Sequence, residues 1–383
     1  MRVLRSLESK RPLLRPKQYM EEGNGMPARN ISEVTRETWM NEVFPDWGTW
    51  LNEEIDGTEV PHGKFTMWWL GNMGVWIKTD RQTNIAVDLW CGTGKTTHNK
   101  PDMSARHQWS RLTGGRKIQP NLRTTPMVID PFAIRTLDAL LVTHFHHDHI
   151  DMNVAAAIVH NVESPIPLIG PQCVVDQWLA WGVPAERCHV VHPGDEVRIK
   201  DVTIHVVESF DRTVLITDPV KVETSSGSAD IPDMDERAVN YVIETTAGTI
   251  YHAGDSHYCT YYAEHGASFD IDVALLAYGE NPVSVQDKMT SVDVLRASEA
   301  LNTNVVIPLH WDVWSNMLAD PHEVETLWKM RRERFGYRFH PLCWLPGGRF
   351  VYPDDRNKLE YYHDRGFDDR YTHPVDLPYT SFL

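Results

Sequence analysis

The chain has 383 residues, of which 42% are hydrophobic and 23% charged, so it carries enough apolar side chains for a large folded core. Its 37 Lys and Arg against 53 Asp and Glu give a formal net charge of −16, which excludes general affinity for a nucleic-acid backbone unless one face concentrates the basic residues. No stretch reaches the roughly 18 consecutive apolar residues of a membrane-spanning helix, so no membrane partner is expected.

The first 30 residues differ in composition from the rest of the chain. They carry six basic residues before position 18 and a Gly/Asn-rich break, and they lack the continuous apolar region of a secretory signal. We predict a flexible basic extension over residues 1–30, with a transit peptide as the alternative, and one globular domain over residues 31–383. The five cysteines are odd in number and form no C-x-x-C pair, which favours a reducing cytoplasm and speaks against cysteine metal ligation.

From residue 31 onward the predicted elements alternate between strands and helices. Apolar or alternating runs predict strands at 65–79, 83–90, 137–143, 202–209, 238–254, 273–279 and 305–310, and the fifth is a hairpin that turns at 247–248. Helices are predicted at 152–161 and 294–302, the second behind a capping-box-like sequence that begins at Thr290. This order predicts an α/β fold in which helices cover two sheets.

Four histidines and an aspartate occupy six positions directly behind the predicted strand at 137–143. The sequence H-F-H-H-D-H at 144–149 lies where a strand ends and a helix begins, so His144 and His146 can face one way and Asp148 and His149 another. Neutral imidazoles and carboxylates hold Zn²⁺ or Mn²⁺ while leaving a coordination position for water. The motif therefore predicts two divalent ions per chain, Mn²⁺ or Zn²⁺; the competing interpretation is a solvated histidine-rich surface loop.

Two later strands also end on residues of the ligand type. Asp255 follows the predicted hairpin behind a glycine that permits a sharp turn, and His310 ends the strand at 305–310. We predict that Asp255 bridges the two ions and that His310 is a terminal ligand. Taken alone, Asp255 would be a turn aspartate and His310 a buried structural histidine.

These residues and several longer segments carry a family resemblance. The succession of H-x-H-x-D-H, Gly-Asp and a strand-final histidine resembles the metallo-β-lactamase-fold hydrolases. Further segments are similar to the L-ascorbate-6-phosphate lactonases within that group: TRETWMNEVFPDWGTWLNEEI, FTMWWLGNMGVWIK, VDLWCGTGK, QPNLRTTPMVIDPFAIR, YGENP, DKMTS and RGFDD. The resemblance spans residues 31–383 and implies an αββα four-layer sandwich with the metals at one edge of the sheets.

The resemblance also implies an activity. It is the hydrolysis of L-ascorbate 6-phosphate to 3-keto-L-gulonate 6-phosphate, a cytoplasmic step of ascorbate catabolism. Activated water would attack the lactone carbonyl, and Asp148 or a water at the metals would protonate the leaving ring oxygen. A phosphorylated substrate requires basic residues within this acidic protein, and Arg212, Lys288 and Arg123 are the candidates; each is otherwise an ordinary surface charge.

One position departs from the family pattern. The superfamily usually offers a histidine after the strand that follows the main motif, and here Asp211 stands where that histidine would align. We predict that Asp211 is the ligand and that His205, earlier on the strand, is structural. An oxygen ligand there would favour Mn²⁺ relative to an all-imidazole Zn²⁺ site.

Two other classes of function remain open. A phosphodiesterase, a nuclease or a thioesterase would use the same scaffold and metals, although a charge of −16 argues against nucleic acid. The other class is a metal-binding regulator without catalytic activity, and a complete ligand set speaks against it. The sequence leaves the formation of a homo-oligomer open.

Overall fold

A computed structural model describes residues 30–43, 50–92, 123–162, 164–217, 233–279, 287–314 and 318–362. The predicted basic extension lies, but for its last residue, outside the described residues. No helix within the described ranges is both long and apolar enough to cross a membrane.

The described residues form strands and helices in a mixed order along the chain. The strands are β1 Phe65–Gly71, β2 Gly74–Thr79, β3 Asn84–Val87, β4 Ala139–Leu141, β5 Leu168–Gly170, β6 Cys188–Val190, β7 Glu196–Ile199, β8 Val202–Glu208, β9 Val239–Glu244, β10 Thr249–His252, β11 Val273–Ala277, β12 Val305–Leu309, β13 His340–Pro341 and β14 Arg349–Tyr352. The α-helices are α1 Arg36–Val43, α2 Trp50–Gly57, α3 Met152–Asn161, α4 Gln172–Ala180, α5 Arg212–Ile216, α6 Met234–Arg237, α7 Tyr261–Ser268, α8 Ser291–Leu301 and α9 His322–Phe335.

The strands form two seven-stranded sheets, in the orders β14-β1-β2-β3-β4-β5-β6 and β13-β12-β11-β10-β9-β8-β7. Each sheet is half antiparallel and half parallel, and the parallel halves comprise β3 to β6 and β10 to β13. The carboxyl ends of parallel strands meet at one edge of a sheet, where ligands bind in open α/β sheets. This arrangement brings the residues that follow β3, β4, β10 and β12 to the site described below.

Apolar side chains pack in three layers around the two sheets. Between the sheets, Met67, Leu141, Tyr241, Leu275 and Ile307 belong to one buried cluster. A second cluster packs helices such as α3 and α4 on the first sheet, and a third packs α8 and α9 on the second. Strands covered on both faces read as continuous apolar runs, as the sequence shows. The predicted αββα sandwich is confirmed.

Two local predictions are confirmed and one is wrong in detail. The hairpin of β9 and β10 turns at 247–248, and Thr290 with Asp293 forms a complete capping box at α8. The segment 65–79, predicted as one strand, is two antiparallel strands, because Asn72 adopts a left-handed φ of +54° and reverses the chain. The two glycines that flank this turn, Gly71 with a φ of +90° and Gly74, were a usable signal for it.

Candidate metal centre and active site

The histidine-rich motif forms the connection between β4 and α3, at the carboxyl end of β4. The N–H groups of His149 and Ile150 both donate to the carbonyl oxygen of His146, at 2.9 and 3.0 Å, which closes a tight turn. Asp151 then caps α3 by accepting a hydrogen bond from the N–H of Asn153. Because the backbone turns within the motif, its side chains separate into two groups.

The first group brings together His144, His146, Asp211 and Asp255. His144 Nε2 lies 2.9 Å from His146 Nδ1, 3.7 Å from Asp211 Oδ2 and 3.8 Å from Asp255 Oδ2. Burial lowers the pKa of both histidines, that of His146 to about 4, so both rings are neutral near pH 7. Neutral imidazole is the form that binds a metal ion.

The second group consists of Asp148, His149 and His310, and Asp255 lies between it and the first. His310 Nε2 lies 3.3 Å from Asp148 Oδ2 and 3.5 Å from Asp255 Oδ1. His149 Nε2 lies 3.8 Å from Asp148 Oδ2 and 3.4 Å from Asp255 Oδ2. Burial alone would raise the pKa of Asp148, but His149 and His310 outweigh it and hold that pKa well below its ordinary value. Asp148 is therefore a carboxylate, which is the form that ligates a cation.

The unpaired atoms of these side chains fit metal ions. His149 Nε2, Asp211 Oδ2, Asp255 Oδ1 and His310 Nε2 are buried and have no hydrogen-bond partner among the described residues. Each such atom costs about 1–3 kcal/mol if it stays unsatisfied. Tetrahedral ligands that each lie 2.0–2.2 Å from one ion are about 3.4 Å apart. The ligand-atom separations of 2.9–3.8 Å in the two groups lie around that value, so the donor set suits a pair of divalent ions.

Asp211 and His205 are separated by the fold. Asp211 caps α5 through Oδ1, which accepts hydrogen bonds from the N–H and the hydroxyl of Thr213 at 2.8 and 2.6 Å. Its Oδ2 is left facing His144. His205 instead lies 3.7 and 3.1 Å from glutamates on the neighbouring strands β7 and β9. The position that departs from the family pattern therefore places a carboxylate beside His144.

The position of Asp255 depends on a glycine. Gly254 has a φ of +49°, and a Cβ built there would lie 2.7 Å from the hydroxyl of Thr143. A larger residue would be strained and would push against the strand that carries the histidine motif. Burial and the charge of Asp255 raise the pKa of Asp211, because two buried carboxylates repel each other. A cation between them would relieve that repulsion.

Lys288 lies inside the site and contacts a candidate ligand. Its ammonium is 4% exposed and lies 2.5 Å from Asp255 Oδ2 and 3.5 Å from Asp287 Oδ2. Burial alone would lower the pKa of Lys288, but the charge of Asp255 raises it above its ordinary value, so the ammonium is charged. Lys288 was predicted as a phosphate-binding residue, with an ordinary surface charge as the alternative; the structure buries it against the carboxylate that lies between the two groups.

The other two predicted phosphate-binding residues lie in different settings. Arg212 follows Asp211 directly, and its side chain is exposed. The guanidinium of Arg123 stacks 4.2 Å above the ring of Trp90 and donates from Nη1 to the carbonyl oxygen of Trp90 at 2.8 Å. It also donates from Nε to the carbonyl oxygen of Thr125 at 2.9 Å. Arg123 thus braces the segment around Trp90, whereas Arg212 presents an exposed cation next to a candidate ligand.

Three residues that hold the site in place were not predicted from the sequence. Asp88, fully buried after β3, accepts from Thr143 N–H at 2.7 Å through Oδ1 and faces His149 Nδ1 at 2.9 Å through Oδ2. Burial alone would lower the pKa of His149, but Asp255, Asp148 and Asp88 raise it. Asp88 holds a proton on Nδ1, so a metal ion would replace the proton on Nε2, which is directed into the site. Trp314 donates from Nε1 to Asp148 Oδ2 at 3.0 Å. Asp88 had a usable signal, since it directly follows an apolar strand as Asp255 does; Thr143 and Trp314 had none.

The chain is similar to several known proteins. The family model described as a beta-lactamase superfamily domain matches residues 113–311. A relative from Escherichia fergusonii, named "Probable L-ascorbate-6-phosphate lactonase UlaG", is 55% identical over 354 residues, which cover 92% of this chain and 99% of the relative. The relative of the same name from Escherichia coli is 54% identical over the same shares. Among solved structures, an isothiocyanate hydrolase from Delia radicum gut bacteria is 16% identical, with a TM-score of 0.54 over 74% of this chain and 98% of that one, which supports the fold alone.

Proposed function

This chain belongs to the L-ascorbate-6-phosphate lactonase family of the beta-lactamase superfamily, and we propose that it is a metal-dependent hydrolase that opens the lactone ring of L-ascorbate 6-phosphate. The observation that carries the proposal is the pair of ligand groups on either side of Asp255. Four of their buried donor atoms are unpaired within the described part of the chain, and the ligand atoms of each group are spaced as those of a metal ion are. A purely structural cluster would leave that many unsatisfied polar atoms without compensation.

The seven candidate ligands can be divided between two ions. We assign one ion to His144, His146, Asp211 and Asp255, and the other to Asp148, His149, His310 and Asp255. When bound, the ions would lower the pKa of a water toward neutrality and polarise the lactone carbonyl. Three carboxylates among the seven residues favour a hard ion, so we propose Mn²⁺ in preference to Zn²⁺.

The side chains of the site have separate tasks in this proposal. Asp148, held through Oδ2 by Trp314, takes up the proton of the attacking water at Oδ1 and returns it to the ring oxygen as the carbon–oxygen bond of the lactone breaks. Lys288 offsets the negative charge of Asp255 in a site that excludes most solvent. Arg212, whose side chain is exposed, binds the phosphate of the substrate.

The proposed function also implies a cell compartment and a set of partners. All five cysteines are free thiols, as a reducing cytoplasm would keep them. The partner is a phosphorylated sugar lactone, and binding to nucleic acid or membrane is not expected at a net charge of −16. Assembly into a homo-oligomer stays a prediction.

Loss of the enediol absorbance of L-ascorbate 6-phosphate tests the activity. Metal-replete protein should remove it and chelator-treated protein should not. Asp255→Asn should abolish turnover and lower the metal content of a folded protein, whereas the matched control His205→Ala should keep both. Faster hydrolysis of a chromogenic phosphodiester than of the lactone would overturn the proposal in favour of a phosphodiesterase. Metal-replete protein that turns over neither substrate would favour a binding role.

A further inference from the structure

A third group of metal-ligand side chains lies where α9 begins, and it shares no residue with the two groups above. His322 at the start of α9, Glu325 one turn along it and Cys343 behind β13 each offer one ligand atom, and these atoms lie within 4.8 Å of one another. Glu360 joins them, because its Oε1 lies 3.3 Å from His322 Nε2 and its backbone pairs with that of Cys343 in an isolated β-bridge. Three separate segments of the chain thus converge on one point.

The thiol of Cys343 is the unusual member of this group. Cys343 is only 4% exposed, and burial together with the charges of Glu325 and Glu360 raises the pKa of its thiol to about 12. It lies close to the ring of His322 and the carboxylate of Glu325. A buried thiol among hydrocarbon side chains needs no partner, but this one faces charged oxygen and nitrogen atoms. Thiolate sulfur beside imidazole and carboxylate is a donor combination that binds Zn²⁺.

The ring of His322 is oriented as a metal-ligating histidine is. Its Nδ1 lies 2.7 Å from Asp320 Oδ1, which leaves Nε2 directed at Glu360. A carboxylate on the far nitrogen fixes the tautomer of most metal-ligating histidines. The separation of 3.3 Å between Nε2 and Oε1 is close to the roughly 3.4 Å between two ligands of a tetrahedral Zn²⁺.

We propose that Cys343, His322, Glu325 and Glu360 form a Zn²⁺ site that fastens the chain around Glu360 to the first turn of α9. Such a site was not expected from the sequence, since its ligands come from distant segments and no C-x-x-C pair marks them. Lys329 competes with the ion, because its Nζ lies 2.6 Å from Glu325 Oε1. The site therefore fills by displacing the contacts of Lys329 with Glu325 and of His322 with Glu360, and by releasing the thiol proton and the proton on His322 Nε2.

Cobalt tests the site independently of catalysis. Co²⁺ added to Mn²⁺-loaded protein should produce a thiolate-to-cobalt charge-transfer absorption in the near ultraviolet that saturates at about one equivalent, as one tetrahedral site requires. Co²⁺ that enters the candidate active site adds no such absorption, because its assigned ligands are nitrogen and oxygen atoms. Zn²⁺ should then displace the Co²⁺ and remove the absorption.

Variants identify the ligands. Cys343→Ser should abolish the absorption, and His322→Ala, at an exposed position, should weaken Co²⁺ binding by about tenfold or more. Lys329→Ala should tighten binding by freeing Glu325. The matched controls Cys259→Ser and Cys91→Ser should keep the absorption. Protein without the absorption, or an absorption that survives in Cys343→Ser or disappears in a control variant, would overturn the site. Added Zn²⁺ should also raise the Tm of the wild type more than that of Cys343→Ser.

Discussion

Asp211→Asn removes one negative charge from the candidate metal centre and keeps a side chain of the same size. The structure separates two tasks of this residue, because Oδ1 accepts two hydrogen bonds from Thr213 and Oδ2 faces His144. An amide oxygen can keep the bonds to Thr213, so Asn should preserve the helix cap, whereas Asp211→Ala loses the cap and costs about 0.5–2 kcal/mol of stability. Both variants lose the charged ligand.

The loss of that ligand should be the larger effect. Partners that only orient a ligand contribute about 10–100-fold to metal affinity, so loss of the ligand itself should weaken one site by at least about 100-fold, or about 2.7 kcal/mol. We expect dialysed Asp211→Asn protein to hold about one metal equivalent fewer than the wild type and to be nearly inactive, as elemental analysis and the enediol assay would measure. Asp211→His should bind metal but shift the preference from Mn²⁺ toward Zn²⁺, because imidazole is the softer donor.

The control for this prediction is His205→Ala, which removes contacts with two glutamates outside the site. It should change the free energy of unfolding and leave the metal content unchanged. Asp211→Asn protein with its full metal complement, together with metal-depleted His205→Ala, would refute the assignment and with it the explanation for the departure from the family pattern.

Four further outcomes follow from side chains in or beside the site. Asp88→Asn should weaken metal binding by about 10–100-fold, because His149 loses the carboxylate at its Nδ1, and unchanged affinity in a calorimetric titration would show that this contact does not tune the ligand. Arg212→Ala should lower kcat/KM for the phosphorylated lactone by about ten- to a thousand-fold, or about 1.4–4 kcal/mol, with a much smaller loss on an unphosphorylated lactone. Lys288→Ala should lower kcat/KM equally for both lactones, since the ammonium of Lys288 contacts Asp255. A loss of kcat/KM confined to the phosphorylated lactone would instead support Lys288 as a phosphate-binding residue. In metal-free protein, neutral buried His146 contributes stability that is lost as pH falls from 6.5 toward 4, because its pKa is about 6.5 in the unfolded chain and about 4 in the fold, whereas Asp211, with a pKa raised to about 7, contributes in the opposite sense. The denaturant midpoint of the wild type should therefore fall relative to that of His146→Gln between pH 6.5 and 4, and an unchanged difference would contradict this assignment.

The sequence by itself determined where the candidate metal ligands lie along the chain. Residues 137–143 form an apolar run that is typical of a strand buried on both faces, and the histidine motif follows it directly. The same local logic identified Asp255 and His310, because a ligand-type residue behind a buried strand reaches the carboxyl edge of a parallel sheet. Strand ends of this kind are local properties, and local patterns can predict them.

Tertiary structure alone decided which atoms are left to bind a ligand. Whether Asp211 or His205 faces the site depends on which face of β8 packs against the other sheet. The hydrogen bonds from Thr213 then decide which oxygen of Asp211 stays unpaired. Lys288 reaches Asp255 across 33 positions of the chain, and Cys343 meets His322 through the packing of α9. Contacts between segments that are distant in sequence have no periodicity to reveal them, because they arise only when the sheets and helices have packed.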